Sequence, residues 1–182
     1  MKIFIAIVLL SILIPLRKDT ISFVSANPFS FKDVITDLDG QDRQEVFGIL
    51  TLPDKIKESD KIPLIIGVAG SKDWSSHHLE YLNMYQNMGI ATFELHSFNS
   101  RDVKSTVGSQ VKVTTAMMIL DSYKIFEELS NHPNIDKDKV AITGWSLGGG
   151  VTLFSAWKPL KNAINKDLKF AAHLSYYPPC IV

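Results

Sequence analysis

A serine flanked by glycines is the feature that most constrains how this chain can fold. The segment Gly144-Trp145-Ser146-Leu147-Gly148 follows the apolar run 140–143 and precedes a second apolar stretch that ends near Ala156. Glycines allow close backbone approach, so this serine can occupy a sharp turn between a buried strand and a helix, with its hydroxyl exposed above a sheet. The alternative is a tight turn in which the glycines serve packing alone.

The segments on either side of this motif alternate between short apolar runs and helical patterns. A continuous apolar run is typical of a strand buried on both faces of a parallel sheet. Strands are predicted at 45–52, 64–68, 90–93, 140–143 and 170–177. Apolar residues three and four apart predict helices over 78–88 and 111–129. Because strands that alternate with helices form right-handed βαβ units, the sequence predicts one α/β domain with a mostly parallel sheet flanked by helices.

Composition narrows the classes of function. The 182 residues are 46% apolar and 21% charged, as in an ordinary globular chain. Nineteen basic and nineteen acidic residues cancel, so bulk charge does not attract nucleic acid or an anionic membrane. The single cysteine, Cys180, excludes an internal disulfide, and His77 and His78 are adjacent rather than spaced as a pair of metal ligands. We therefore expect neither a nucleic-acid partner nor a bound metal.

The first 26 residues resemble a targeting segment. Lys2 precedes the apolar runs 3–10 and 12–16, as in a secretory signal peptide, and Val24-Ser25-Ala26 would suit cleavage before Asn27. The sequence thus predicts a signal peptide at 1–26, a domain at 27–182, and a secreted or periplasmic protein. The alternative is an uncleaved membrane anchor, although the apolar run is shorter than the roughly 20 residues that span a bilayer.

Chemistry at Ser146 requires partners. A serine hydroxyl becomes a strong nucleophile when a neighbouring base, commonly histidine, takes its proton. The oxyanion formed on attack needs backbone N–H donors, and Leu147, at the start of the following helix, would supply the first. The loop after the strand at 64–68 should supply the second. Ser71 is the candidate there, with its neighbour Lys72 as an alternative and an ordinary loop serine as the non-functional interpretation.

Several motifs together carry a family resemblance. They are the serine motif with Gly149 and Gly150, Asn134-Ile135-Asp136, Ser97-Phe98 with Arg101, and Tyr176-Tyr177-Pro178-Pro179-Cys180. From about Glu45 onward the chain resembles the N-terminal portion of α/β-hydrolases of the dienelactone hydrolase-like family. The resemblance implies an α/β-hydrolase fold and hydrolysis of a small carboxylic ester or lactone through an acyl-enzyme at Ser146. It implies no metal or organic cofactor, and no stable membrane association unless the signal is uncleaved.

Three further positions bear on this resemblance. Ala69 stands where the family's oxyanion strand usually ends in His-Gly, and His96 stands where relatives often carry an acidic residue. His96 is a candidate substrate contact at the binding edge of the sheet, or else a partly exposed polar residue at the end of a strand. Arg101 is a second candidate substrate contact, or else the ion-pair partner that organises its loop.

The remainder of the triad is the unresolved part of the prediction. In this fold the catalytic acid and histidine follow the serine along the chain. After Ser146 only Asp167 and His173 have these side chains, and neither is in a setting typical of a catalytic group. The resemblance implies an acid and a base from later strands, so we expect a C-terminally incomplete domain that is inactive alone. The alternatives are a non-catalytic module that binds a ligand or partner, and an unusual base such as His96 or His173.

Overall fold

The computed structural model describes residues 17–54 and 56–179 of the chain. Strands and helices alternate along most of this length. In chain order they are β1 (Arg17–Ala26), α1 (Phe31–Thr36), β2 (Arg43–Leu52), β3 (Ile62–Val68), α2 (Ser76–Asn87), β4 (Ala91–Leu95), a 3₁₀ turn (Asn99–Arg101), α3 (Thr115–Leu129), β5 (Ile135–Trp145), α4 (Leu147–Phe154), α5 (Lys158–Ile164) and β6 (Ala172–Tyr176).

The strands form one sheet with the spatial order β1-β2-β4-β3-β5-β6. The neighbours β4, β3, β5 and β6 run parallel, while β2 runs antiparallel to both β1 and β4. The central strand β3 is buried from Leu64 to Val68, because helices cover both of its faces. The carboxyl ends of β3, β5 and β6 therefore meet at one edge, where ligands bind in folds of this kind. The predicted mostly parallel sheet is confirmed.

Helices cover the two faces of the sheet unequally. On one face, α3 packs against β1 and α4, while α1 packs against α5, and their apolar side chains form the main core with the sheet. On the other face, α2 contributes Leu82 and Tyr85 to a smaller cluster with Ile65 and Trp145. None of the helices in the described part of the chain is long and apolar enough to cross a membrane.

The helices begin at residues that can cap them. The Thr114 hydroxyl accepts from the Met117 N–H at 3.2 Å, so α3 starts at Thr115, four residues later than its apolar pattern predicts. The predicted helix 78–88 is observed as α2, two residues earlier at its start. Strand β5 begins at Ile135, because Ile135 pairs with Ile62 before a register shift. The helix and strand types predicted at these positions are confirmed.

The N-terminal boundary needs a correction. Residues Arg17–Ala26, placed in the targeting segment by their sequence, form β1 and pair with β2 along its entire length. Phe23 and Ser25 are buried in this strand. The folded domain therefore includes Arg17 onward instead of starting at Asn27. The predicted charged and apolar regions of the signal, within residues 1–16, lie outside the described residues.

Candidate active site

Ser146 occupies the junction between β5 and α4, at the carboxyl edge of the sheet. Its backbone has φ 53° and ψ −115°, a conformation that L-residues rarely adopt. The Ser146 N–H donates to the carbonyl of Tyr176 at 3.0 Å, and the Ser146 carbonyl accepts from the Gly150 N–H at 3.0 Å. The turn is therefore held from both sides. This is the sharp strand-to-helix geometry that the sequence motif predicts.

Two glycines of the motif are required by close backbone approach. A Cβ atom on Gly148 would overlap the carbonyl oxygens of Val68 and Ala69, at the end of β3. A Cβ atom on Gly144 would overlap the backbone of Gly148 itself. Backbone atoms cannot move aside as a flexible side chain can, so α4 can begin against β3 and β5 only with glycine at both positions.

Leu147 is the first residue of α4. Its side chain is buried, and its amide belongs to the first turn, whose N–H groups have no partner within the helix. The helix dipole adds partial positive charge at this end. The amide of Leu147 is thus next to the Ser146 hydroxyl in the chain and in an environment that favours a negative oxygen.

The loop after β3 lies directly beside the serine. A Cβ atom built on Gly70 would be 3.6 Å from Cβ of Ser146. The Ser71 carbonyl accepts from the Thr106 N–H at 2.8 Å and from the Ser105 hydroxyl at 3.0 Å, which anchors it to another loop. The Ser71 N–H donates to no group within residues 17–54 and 56–179. The structure therefore brings the predicted donor segment next to the predicted nucleophile.

Strained backbone is concentrated at this edge. Besides Ser146, Asp73 (φ 65°) and Tyr177 (φ 35°) have positive φ and follow β3 and β6 respectively, and Asp102 (φ 53°) ends the 3₁₀ turn that follows β4. The Asp73 N–H donates to the Gly70 carbonyl at 2.9 Å and closes a tight turn. Such conformations cost on the order of 1–3 kcal/mol each and cluster at functional sites.

Aromatic rings form a wall under the serine, a feature that sequence analysis missed. The indole of Trp145 is fully buried between two stacked rings, His78 at 4.7 Å and Tyr176 at 5.7 Å between centroids. Trp74 and Tyr81 extend the wall at 6.2 and 5.8 Å from Trp145. The signal in the sequence was the aromatic residues that end β5 and β6 and those that follow β3.

His78 is a neutral member of that wall. Burial, with a smaller contribution from the neighbouring His77, lowers its pKa to about 4. Its Nδ1 accepts a hydrogen bond from the Ser75 N–H at 3.3 Å. A histidine with this pKa is uncharged at neutral pH and contributes its ring to packing.

A hydrogen-bonded chain of side chains runs along the same edge. The Ser75 hydroxyl lies 2.9 Å from Nδ1 of His77, and Nε2 of His77 lies 3.0 Å from the hydroxyl of Tyr177. Tyr177 is 61% exposed and immediately follows Tyr176, which accepts from Ser146. This chain links the first turn of α2 to the end of β6.

His96 lies at the end of β4, half-buried. Its ring stacks on Phe47 with 5.1 Å between centroids, and both ring nitrogens are buried without a hydrogen-bond partner in the described part of the chain. Burial lowers the pKa of His96, and the carboxylate of Asp73 partly offsets this. Burial also raises the pKa of Asp73. The role of His96 as a substrate contact stays a prediction.

Arg101 is not available to a substrate, so that prediction is corrected. Its guanidinium forms a buried two-point ion pair with Asp121, through Nη1 at 2.8 Å and Nη2 at 3.0 Å. The remaining donors bond the Ser97 carbonyl at 3.0 Å, the Ala26 carbonyl at 3.2 Å and Oδ1 of Asn27 at 2.8 Å. All five N–H donors are used within the protein. Arg101 thus has the structural role of an ion-pair partner, which was the alternative interpretation, and it joins the end of β1 to α3.

Comparison with protein families identifies a relationship that covers most of the chain. The acetyl xylan esterase (AXE1) family model matches residues 34–181. The chain belongs to the acetyl xylan esterase (AXE1) family. No curated protein sequence matches it. The family assignment agrees with the resemblance to dienelactone hydrolase-like α/β-hydrolases, and it shows a family of ester hydrolases.

Solved structures share the fold of this acetyl xylan esterase family member at low sequence identity. A Klebsiella pneumoniae subsp. pneumoniae protein named as a dienelactone hydrolase is similar with a TM-score of 0.58 and 14% identity over 90% of this chain. A dienelactone hydrolase-like promiscuous phosphotriesterase from metagenomic libraries has a TM-score of 0.53 and 13% identity over 76%. Esterase Est22 has a TM-score of 0.56 and 16% identity over 84%. The chain spans 62%, 54% and 41% of these three proteins.

The two residues that could complete a triad in this family member lie away from Ser146. Asp167 is in the exposed loop before β6, on the amino-terminal side of that strand. His173 pairs with Ile142 in the ladder, is exposed, and contacts Phe170 edge-on at 5.6 Å. Within the described ranges, no histidine or carboxylate hydrogen-bonds the Ser146 hydroxyl. The structure brings together the predicted nucleophile and the predicted amide donors, but neither of these residues.

A sizeable cavity exists elsewhere in the molecule. It has a volume of about 890 Å³ and lies between β1, the loop before β2 and α3. None of its lining residues belongs to the edge that carries Ser146. The strained backbone of Ser146 and the amide groups beside it identify the candidate site better than the size of a cavity does. Residues 17–54 and 56–179 contain no group of three or more side chains that could hold a metal ion.

Proposed function

We propose that this protein is a carboxylic ester hydrolase that uses Ser146 as its nucleophile. The observation that carries the proposal is the backbone of Ser146, with φ 53° at a strand-to-helix turn. A turn that used its glycines for packing alone would not need a strained serine. Membership of an esterase family and the adjacent amide donors support the same function.

The proposed reaction has two stages. The Ser146 hydroxyl adds to the ester carbonyl carbon while a histidine base takes its proton, and the carbonyl oxygen becomes an oxyanion. The amides of Leu147 and Ser71 donate to that oxyanion. The C–O bond to the alcohol then breaks, the alcohol leaves with the proton held by the base, and an acyl-enzyme remains. Water then hydrolyses the acyl-enzyme and regenerates the serine.

The proposed substrate is a small carboxylic ester or lactone. The aromatic wall formed by Trp74, His78, Tyr81, Trp145 and Tyr176 is beneath the serine and is mostly uncharged, since burial keeps His78 neutral. Membership of the acetyl xylan esterase (AXE1) family supports an ester as the substrate.

Ester hydrolysis assays with matched chains test the nucleophile. The 182-residue chain, and any longer chain that the reading frame encodes, are each compared with their own Ser146→Ala variant on p-nitrophenyl acetate. We expect serine-dependent turnover from a chain that includes the catalytic acid and base. We expect no difference between the 182-residue chain and its own Ser146→Ala variant. Full-length turnover that survives Ser146→Ala would refute the proposed nucleophile, whereas serine-dependent turnover by the short chain would refute a base supplied from outside it.

We also propose that the protein is exported and that any signal cleavage falls before Arg17. Cleavage before Asn27 would remove β1 with its complete ladder to β2, and would remove the Ala26 carbonyl that Arg101 bonds. N-terminal sequencing of the mature protein tests this. We expect residues 17–26 to be retained. A mature chain that begins at Asn27 would refute this proposal, and sedimentation with membranes would identify the anchored alternative.

A further inference from the structure

We propose that His77 and Tyr177 are positioning residues for the esterase reaction. Their hydrogen bond holds the loop that carries the Ser71 amide in register with Ser146. This inference rests on the proposed function, and it concerns two residues to which the mechanism above assigns no role. Neither residue is required to touch the substrate.

The two residues extend from the two backbone segments that flank the serine. Tyr177 directly follows Tyr176, whose carbonyl accepts from the Ser146 N–H at 3.0 Å. His77 lies in the first turn of α2, which follows the loop from Gly70 without an intervening strand. The bond of 3.0 Å between Nε2 of His77 and the Tyr177 hydroxyl therefore joins the segment with one oxyanion donor to the segment that fixes the nucleophile.

Other hydrogen bonds of the loop do not provide this link. The Ser71 carbonyl is anchored to Ser105 and Thr106, and the Trp74 indole N–H donates to the Leu95 carbonyl at 3.1 Å. These contacts tie the loop to the β4 side of the site, away from β5 and β6. On the β5 side the loop is held by packing, since Trp74 contacts Trp145 edge-on at 6.2 Å, and the His77–Tyr177 bond adds a hydrogen bond on that side.

Both ends of the proposed link are themselves oriented. The second ring nitrogen of His77 lies 2.9 Å from the Ser75 hydroxyl, and the His77 ring packs edge-on against His78 at 4.0 Å. The Tyr177 side chain reaches α2 through this bond to His77.

Helix α2 makes a second bond to β6 that serves as an internal comparison. The hydroxyls of Tyr85 and Tyr176 lie 3.2 Å apart, eight residues further along the helix than His77. This bond joins α2 to the last residue of β6, one residue before Tyr177, but lies about two turns from the loop. Its loss should affect packing of α2 without changing the relation between Ser71 and Ser146.

Steady-state kinetics of the full-length protein test the inference. Tyr177→Phe removes the hydroxyl and retains the ring, His77→Phe removes the imidazole nitrogens, and Tyr85→Phe is the matched control. We expect Tyr177→Phe and His77→Phe each to lower kcat about threefold to tenfold with KM nearly unchanged, as expected for loss of one net hydrogen bond that acts in the transition state. The double variant should fall no further than either single variant, because both remove the same bond.

The remaining outcomes separate positioning from other roles. His77→Gln, whose amide can replace Nε2, should restore much of kcat, and Tyr85→Phe should leave kcat unchanged. A Tyr177→Phe variant with wild-type kcat, or with a raised KM and unchanged kcat, would overturn the proposal. Ser146→Ala is measured in parallel. Turnover that survives it would contradict the proposed nucleophile, whereas its loss together with an unaffected Tyr177→Phe would contradict only the positioning role.

Discussion

The buried ion pair between Arg101 and Asp121 provides the most discriminating test of the corrected site. Their side chains are 5% and 0% exposed, and Asp121 also accepts from the Ser97 hydroxyl at 2.7 Å. Asp121→Ala would leave the guanidinium buried without its counter-charge. Removal of one partner of a buried pair costs about 3–5 kcal/mol of unfolding free energy. For a domain of this size that corresponds to a fall in Tm of roughly 6–20 °C.

Thermal and urea unfolding of the full-length protein, followed by circular dichroism, would measure this effect. The control is Asp19→Ala, which breaks the exposed pair with Arg17 and should change stability by less than about 1 kcal/mol. The double variant Arg101→Met/Asp121→Leu should recover most of the loss, because no buried charge remains unpaired. An Asp121→Ala protein of unchanged stability but raised KM would refute the structural role and restore Arg101 as a substrate contact.

Two further predictions concern the glycine motif and pH. Gly148→Ala should destabilise the protein by about 1–3 kcal/mol in urea unfolding, because its Cβ meets backbone oxygens. Gly150→Ala should be neutral or stabilising, because its Cβ meets only the Pro179 ring at 3.4 Å. Equal losses of stability in the two variants would contradict this prediction. The unfolded state binds a proton at His78 near pH 6.5 and the folded state only near pH 4, so stability should fall by about 2 kcal/mol from this residue between pH 7 and pH 5. His78→Asn, which does not titrate, should flatten that slope, and an unchanged slope would assign it to other groups.

Local patterns predicted most of the elements that position the site. The apolar run 64–68 and the glycine motif around Ser146 each determine their own structure, because a buried parallel strand needs continuous apolarity and a sharp turn needs glycine. The sequence predicted that the strands run mostly parallel, but it could not predict their order in the sheet. That order depends on which strands become neighbours through crossover connections between distant segments. The placement of Ser71 beside Ser146 was predictable because both follow neighbouring parallel strands.

Residues 17–26 show where local reasoning failed. These residues directly follow an apolar segment, which suggested that they belong to a targeting signal. The alternation of exposed and buried side chains that is typical of an edge strand is a weaker signal than that apolar segment. The strand forms because β2 offers a complete antiparallel partner, and β2 is separated from it in sequence by α1. Arg101 was ambiguous for a related reason. Whether an arginine binds a substrate or an internal carboxylate depends on Asp121, twenty residues away on α3, which no local pattern reveals.

The strained backbone of Ser146 has a consequence for the evolution of such chains. Glycine adopts φ 53° without a Cβ conflict, so Ser146→Gly should relax a conformation that costs about 1–3 kcal/mol while removing the hydroxyl that is proposed to react. The variant that is proposed to be inactive would then be the more stable one. In a lineage no longer under selection for hydrolysis, replacement of this serine would therefore increase stability and should occur early. Retention of Ser146 among descendants would indicate continued selection for hydrolysis.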